Sequence, residues 1–228
     1  MNGPRVVALV AAHDESDRIG ATVRALAGLP GVTEVVVVDD GSGDGTAGLA
    51  LAAGATVLRI HRRRGKGGAM EGALRRIAPA DVWLFADGDL GASAGALAPV
   101  LDAVLLGEAD LAVAAFPPQS GGGLGTVRRF AARAILLLSG FRATQPLSGQ
   151  RALRARALQA CRPLAPGFGV ETAMTIDAAR AGLRIHEVAA PGLTHRATYR
   201  DPRGFVHRGR QGLDILRAVA PRIVRRRR

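Results

Sequence analysis

Val82-Trp83-Leu84-Phe85-Ala86-Asp87-Gly88-Asp89 is an apolar run that ends in two aspartates one residue apart. A run this short and greasy reads as a buried strand, and its acidic end places both carboxylates at the C-terminal edge of a sheet. That edge is where open α/β folds bind ligands. Two close carboxylates repel each other unless a cation sits between them, and their hard oxygens suit Mg²⁺ or Mn²⁺. A metal held there can neutralise a diphosphate. The alternative is a solvated turn that happens to carry two acids.

Outward from this run, strand and helix signals alternate. Strands are expected at Arg5–Ala12, Val32–Val38, Thr56–Ile60, Asp81–Ala86 and Asp110–Ala115. Helical spacing falls at Ile19–Leu29 (with Ser16 as cap), Asp44–Ala53, Gly67–Ile77 and Ala94–Leu106. This β-α-β-α rhythm predicts a Rossmann-like, mostly parallel sheet with helices on both faces, in one α/β domain. After Phe116 the rhythm changes. Pro117–Gly125 reads as a substrate loop, followed by a helix at Val127–Leu138, a strand at Thr144–Ala152 and helices at Leu153–Cys161 and Val170–Ala181. Arg184–Ala189 is the last strand, and Gly204–Val219 is expected to be helical. The organisation anticipated is a domain over 1–195, with a ligand half (1–115) and an acceptor half (116–195), then a basic segment over 196–228.

The composition limits the alternatives. A chain of 228 residues, 48% hydrophobic and 22% charged, supports one well-packed core. The single cysteine, Cys161, excludes an intrachain disulfide and reads as a small buried hydrophobe. Val6–Ala12 is too short for a signal peptide, and Leu97–Phe116 is interrupted by Asp102, Glu108 and Asp110, so a cytoplasmic location is expected. The net charge of +12 is uneven, because residues 196–228 hold 11 arginines against 2 aspartates. Three readings of this segment compete: a solvated tail, a peripheral contact with an anionic membrane surface, and a nucleic-acid contact. Nucleic acid is disfavoured because no aromatic residues interleave with the arginines.

Further candidates stand at the other strand ends. Strand one leads into Ala11-Ala12-His13-Asp14-Glu15, and strand two into Asp39-Asp40-Gly41-Ser42-Gly43-Asp44. Acids at such tips can accept hydrogen bonds from ribose hydroxyls or a base N–H, or they can simply cap the next helix. Arg62-Arg63-Arg64-Gly65-Lys66-Gly67-Gly68 opens a helix, whose first N–H groups favour anions. Lys66 is the only lysine beside thirty arginines, which suggests that a compact point charge is wanted there. Glu171 opens a helix after a Gly-Phe-Gly turn. It could serve as general base for an acceptor hydroxyl, or favour the helix N-terminus electrostatically.

These four motifs, in this order, resemble family 2 glycosyltransferases with the GT-A fold over about the first 115 residues. The resemblance implies a nucleotide-sugar donor, a uridine or guanosine diphosphate sugar. It places Glu15 on the ribose, Asp40 on the base, and Lys66 near the base or phosphates, with Ala11 and His13 as further candidates for binding the donor. It also places Asp87 on ribose or metal and Asp89 on the metal. Gly121–Val127, Gln145–Gln150 and Gly167–Glu171 are similar to glucosyl-3-phosphoglycerate and mannosylglycerate synthases. That similarity implies His195 as a further metal ligand and leans towards retention of configuration. Leu124 stands where those synthases carry a basic residue, and Gln150 where an acid is frequent. Arg196 and Arg200 are candidates for stabilising the departing diphosphate. The competing functions are nucleotidyl transfer, whose Gly-rich signature would follow the first strand, and a non-catalytic nucleotide-sugar-binding regulator. The acceptor is unspecified, and a homodimer is an open option.

Overall fold

A computed structural model describes residues 3–116, 125–194 and 202–224, with the side chains of 202–210 and 224 excepted. The seven strands are β1 (Val6–Ala12), β2 (Glu34–Asp39), β3 (Thr56–Arg59), β4 (Val82–Asp87), β5 (Leu111–Ala115), β6 (Arg151–Arg154) and β7 (Ile185–Ala189). They form one sheet in the order β3-β2-β1-β4-β6-β5-β7. The helices are α1 (Ile19–Ala27), α2 (Thr46–Ala52), α3 (Lys66–Leu74), α4 (Ala98–Leu105), α5 (Gly125–Ser139), α6 (Ala155–Cys161), α7 (Val170–Arg180) and α8 (Pro202–Val224). Only β6 runs against its neighbours, β4 and β5. The α/β, mostly parallel, single-domain expectation therefore holds.

β1 is buried on both faces because both sides of the sheet are covered. Val6, Ala8 and Val10 pack with Val23 and Leu26 of α1 and Leu101 of α4. Val7 and Leu9 point the other way, onto Met70 of α3, Leu158 of α6 and Met174 of α7. That two-sided burial is why the strand reads as a continuous apolar run. Cys161 belongs to the second cluster, where burial pushes its thiol up to about 12 and its Sγ donates to the Met174 carbonyl at 3.4 Å. It is a packed hydrophobe, as expected.

Several local expectations are corrected. The strand expected over Thr144–Ala152 is confined to Arg151–Arg154. Residues 144–150 form a loop, because the Thr144 and Gln145 N–H groups bond to Glu187 instead of to a neighbouring strand. Ser16 does not cap α1, which has no side-chain cap. The Ser16 N–H is instead taken by Asp44 at 3.0 Å. The expected helix Ala94–Leu106 divides into a 3-10 segment, Gly91–Leu97, and α4. The last helix runs on through Pro221 to Val224, beyond the expected stop at Val219. Tertiary bonds secure its last turn: Arg222 pairs with Asp177, and the Arg222 carbonyl accepts from Arg180.

Gly67, in the first turn of α3, leaves the least room for a Cβ of the described glycines. A Cβ there would stand 1.8 Å from the Ala165 carbonyl oxygen, and backbone cannot swing aside as a side chain can. Gly67→Ala is expected to cost about 3 kcal/mol through overpacking. The unfolding midpoint should then fall by on the order of 10 °C. A midpoint within a degree or two of wild type would show that α3 can slide away from Ala165.

Candidate functional site

The strand order reverses beside β1: β2 and β3 lie on one side of it and β4 on the other. Such a switch point opens a crevice at the carboxyl ends of the strands. Register sets what lines it, since Ala11 pairs with Asp87 and Ala12 with Asp39. The chain after each strand stays locked to its neighbour, with the Gly88 N–H on the Ala11 carbonyl at 3.0 Å and the Asp40 N–H on the Ala12 carbonyl at 2.9 Å. A cavity of about 370 Å³ occupies this edge. Ala11, His13, Glu15, Asp40, Lys66, Asp87, Asp89 and Glu171, all candidates from the sequence, line it. His195, Arg196 and Arg200 lie outside the described residues.

The loops after β1 and β2 staple each other. Ser42 Oγ accepts the Asp14 N–H at 3.0 Å, and Asp14 Oδ1 accepts the Gly43 N–H at 2.9 Å. Thr46 Oγ1 accepts the Glu15 N–H at 2.9 Å and donates to Asp44 Oδ1 at 2.5 Å. Burial would raise Asp44, but the bonds from Thr46 and Ser16 outweigh it and hold the carboxyl well below the usual range. These acids are structural. Asp40 also has a structural task beside the base-binding role the resemblance implies. Its two oxygens each accept a backbone N–H at 2.8 Å, from Arg64 and Gly65. That clamp shapes the loop that delivers Lys66.

Lys66 is the hub of the site. Its Nζ lies 2.5 Å from Asp87 Oδ1 and 2.7 Å from Glu171 Oε1, joining the end of β4 to the start of α7. Burial alone would lower the ammonium, but the two carboxylates prevail and keep it above the ordinary lysine value. Gln150 Nε2 donates to Asp87 Oδ2 at 2.7 Å. Gly149 makes room for this cluster, since a Cβ there would stand 2.2 Å from Lys66 Nζ. Glu171, 5% exposed, therefore does more than open a helix: its carboxylate is one arm of a buried charge bridge.

Beneath this bridge lies Arg151, a residue the sequence reading did not single out. It is 1% exposed, with Nε donating to the Ser148 carbonyl at 2.8 Å and Nη1 to Thr175 Oγ1 at 2.9 Å. Burial pulls the guanidinium down from its usual value, while the charge of Glu171 works against that. Two cations, Lys66 and Arg151, thus balance two anions, Asp87 and Glu171. The available signal was an arginine within a mostly apolar strand, which needs anions nearby. Phe168 and, from α8, Gln211 also border the cavity. α8 is held there by the Phe168 N–H, which donates to Asp214 Oδ2 at 3.1 Å.

Asp87 and Asp89 both line the cavity, and carboxylates are hard oxygen donors of the kind that fits Mg²⁺ or Mn²⁺. The Lys66 ammonium already faces Asp87, so the site is one that holds positive charge. Among the described residues no group of three His, Cys, Asp or Glu side chains converges as a metal site. Water and backbone oxygens commonly complete a Mg²⁺ shell.

Residues 7–159 match the profile of Glycosyl transferase family 2. Glucosyl-3-phosphoglycerate synthase of Mycolicibacterium paratuberculosis is 32% identical over 201 residues, which is 77% of this chain and 60% of that protein. Glycosyltransferase AglJ of Haloferax volcanii is 30% identical over 158 residues, 68% of this chain and 52% of that protein. The chain thus spans between half and two thirds of the length of these relatives. The crystal structure of glucosyl-3-phosphoglycerate synthase from Mycobacterium tuberculosis with Mg²⁺ and uridine diphosphate superposes with a TM-score of 0.80 at 28% identity, covering 96% of this chain and 78–79% of the other in related complexes. The same enzyme bound to phosphoglyceric acid also gives a TM-score of 0.80.

Proposed function

Since the chain belongs to glycosyl transferase family 2, we propose that it moves a glycosyl group from a nucleoside diphosphate sugar to an acceptor hydroxyl, with a divalent metal as cofactor. A uridine diphosphate sugar is the favoured donor. The observation that carries this reading is the convergence of Asp87, Asp89, Lys66, Glu15 and Asp40 on one cavity at the β1/β4 switch point. The complexes of the Mycobacterium tuberculosis synthase with Mn²⁺, uridine diphosphate and phosphoglyceric acid support both the donor class and the trial of a phosphorylated acceptor.

In the proposed reaction the bond between the anomeric carbon and the diphosphate oxygen breaks, and negative charge grows on the leaving oxygens. Asp87 and Asp89 would hold the metal, which supplies Lewis-acid stabilisation of that charge. Glu15 and Asp40 would serve the nucleoside. Lys66 orients Asp87 and would add fixed positive charge beside the diphosphate, so that little reorganisation is needed as the bond breaks. Glu171 lies across Lys66 from Asp87 and would orient the incoming hydroxyl. Its pairing with Lys66 makes positioning the better-supported role than free general base.

The test measures nucleoside diphosphate release from a donor panel, with and without Mn²⁺, alongside thermal shifts. Ligand at a hundred times Kd stabilises by about 2.7 kcal/mol, a rise of roughly 5–10 °C for a chain of this size. Uridine diphosphate with Mn²⁺ is expected to give that rise, and its sugar to yield free uridine diphosphate when phosphoglycerate is supplied. Release of a sugar 1-phosphate in place of nucleoside diphosphate, or of pyrophosphate when a nucleoside triphosphate and a sugar 1-phosphate are supplied, would instead mark a nucleotidyltransferase. Binding with no release from any donor would mark a non-catalytic binder.

A further inference from the structure

Charge in this chain is segregated by sequence half. Residues 1–110 hold 10 basic and 14 acidic side chains, whereas 111–228 hold 21 basic and 5 acidic, with no acid at all between Leu111 and Val170. The second half builds the helical layer in which α5, α7 and α8 share a small apolar cluster of Ala131, Ala134, Ile135, Ile176, Ile215 and Val219. The amphipathic pattern of the last helix proves to have two apolar sides. Ile215, Ala218 and Val219 are buried, but Leu213 (47% exposed), Leu216 (51%) and Ile223 (51%) form a second stripe that faces solvent. Their spacing of three and seven residues puts them on one side of the helix, with exposed Ala220 between them. The outer side of α5, away from the shared cluster, exposes Phe130 and Leu136 among Arg129 and Arg133. The acids of this layer are turned inward: Asp214 takes the Phe168 N–H, and Asp177 pairs with Arg222.

We propose that this face, centred on Leu213, Leu216 and Ile223 of α8, with exposed Arg217 on the same helix and the exposed arginines of the neighbouring α5, docks on an anionic lipid surface. Aliphatic side chains in a cationic surround match the layered chemistry of such a bilayer, acyl chains beneath phosphate headgroups. A nucleic acid would supply phosphates but no apolar partner for the leucines. Among the described residues no helix is long and apolar enough to cross a membrane, so the contact is peripheral. The opposite side of α8 touches the Phe168 turn and carries Gln211 into the cavity wall, so docking would place the catalytic mouth close to the lipid plane.

The test uses the full chain and vesicles of phosphatidylcholine, alone or mixed with phosphatidylglycerol. Wild type should co-sediment with the mixed vesicles only, and less so at high salt. The triple variant Leu213→Ser, Leu216→Ser, Ile223→Ser should bind about tenfold or more weakly while staying cooperatively folded at the assay temperature, because these side chains are about half exposed. Leu216→Trp should show a blue-shifted emission on mixed vesicles, against the constant background of Trp83, which is 4% exposed. Equal binding by the triple variant, or no binding to mixed vesicles, overturns the proposal. So does a wild-type dimer that the triple variant converts to a monomer, which would make the face a self-interface. Tight retention on duplex DNA that is indifferent to the three serines also overturns it, in favour of a plain polyanion site. None of these readouts depends on turnover, so failure here leaves the glycosyltransferase reading standing.

Discussion

Asp89→Asn is expected to lower kcat/KM by about a thousandfold, the scale on which removing a preorganised electrostatic contact to the reacting centre acts. The change keeps the side-chain shape and removes one negative charge from the cavity wall, so the effect isolates charge from packing. The same change at Asp87 would in addition disturb Lys66 and Gln150, which that carboxylate holds. The Asp89→Asn protein should also lose the thermal shift produced by uridine diphosphate with Mn²⁺ while retaining its unliganded midpoint to within a few degrees. A variant that keeps both the full ligand-induced shift and wild-type turnover would move the metal, and with it the reaction, away from this edge of the sheet.

Lys66→Met should have the largest effect on stability of any change to the cavity wall. It removes the cation shared by two carboxylates, one of which, Glu171, is only 5% exposed. Leaving a buried charge without its partner costs about 3–5 kcal/mol. We take the low end, about 3 kcal/mol, because buried Arg151 still acts on Glu171 and the Asp87 side chain is 32% exposed, so that water screens part of the loss. That corresponds to roughly 6–12 °C in the unfolding midpoint.

The pH dependence of this variant follows from the direction of the Lys66 shift. A lysine raised in the folded state contributes its full stabilisation below the ordinary value of about 10.4 and loses it only as pH rises through the still higher folded value. The gap between wild type and Lys66→Met should therefore be constant between about pH 6 and 9. Urea midpoints across that range measure it, and a gap that varies between about pH 6 and 9 would contradict the charge-bridge account. Turnover should fall as well, because the tether between β4 and α7 is lost.

Much of the binding half could be read without coordinates. β1, β2 and β4 are buried on both faces, so their apolar runs are continuous, and each ends where the carboxylates begin. Residues at the tips of parallel strands must share one edge, which is why Glu15, Asp40, Asp87 and Asp89 could be grouped before any distance was known. The acceptor half was less legible. The strand expected from Thr144 starts only at Arg151: Pro146 and Gly149 disfavour an earlier start, and Glu187, more than forty residues away, takes the Thr144 and Gln145 N–H groups in a loop. Arg151 was hidden because its partners, the Ser148 carbonyl and Thr175 Oγ1, come from a local turn and a separate helix. Glu171 and Lys66 were each identified, but not as partners, since 105 residues separate them.

The sequence alone thus determined the strand-and-helix alternation, the edge on which the acids gather, the cation at the start of α3 and the imbalance of charge between the two halves. These depend on local periodicity and on side-chain chemistry that any fold must respect. Only the tertiary structure decided that Lys66 bridges Asp87 and Glu171, that Arg151 underlies them, and that the last helix has one apolar side packed and the other bare. Such pairings are set by which elements meet across the sheet, and long-range packing energy overrides the local preferences that a one-dimensional pattern can display.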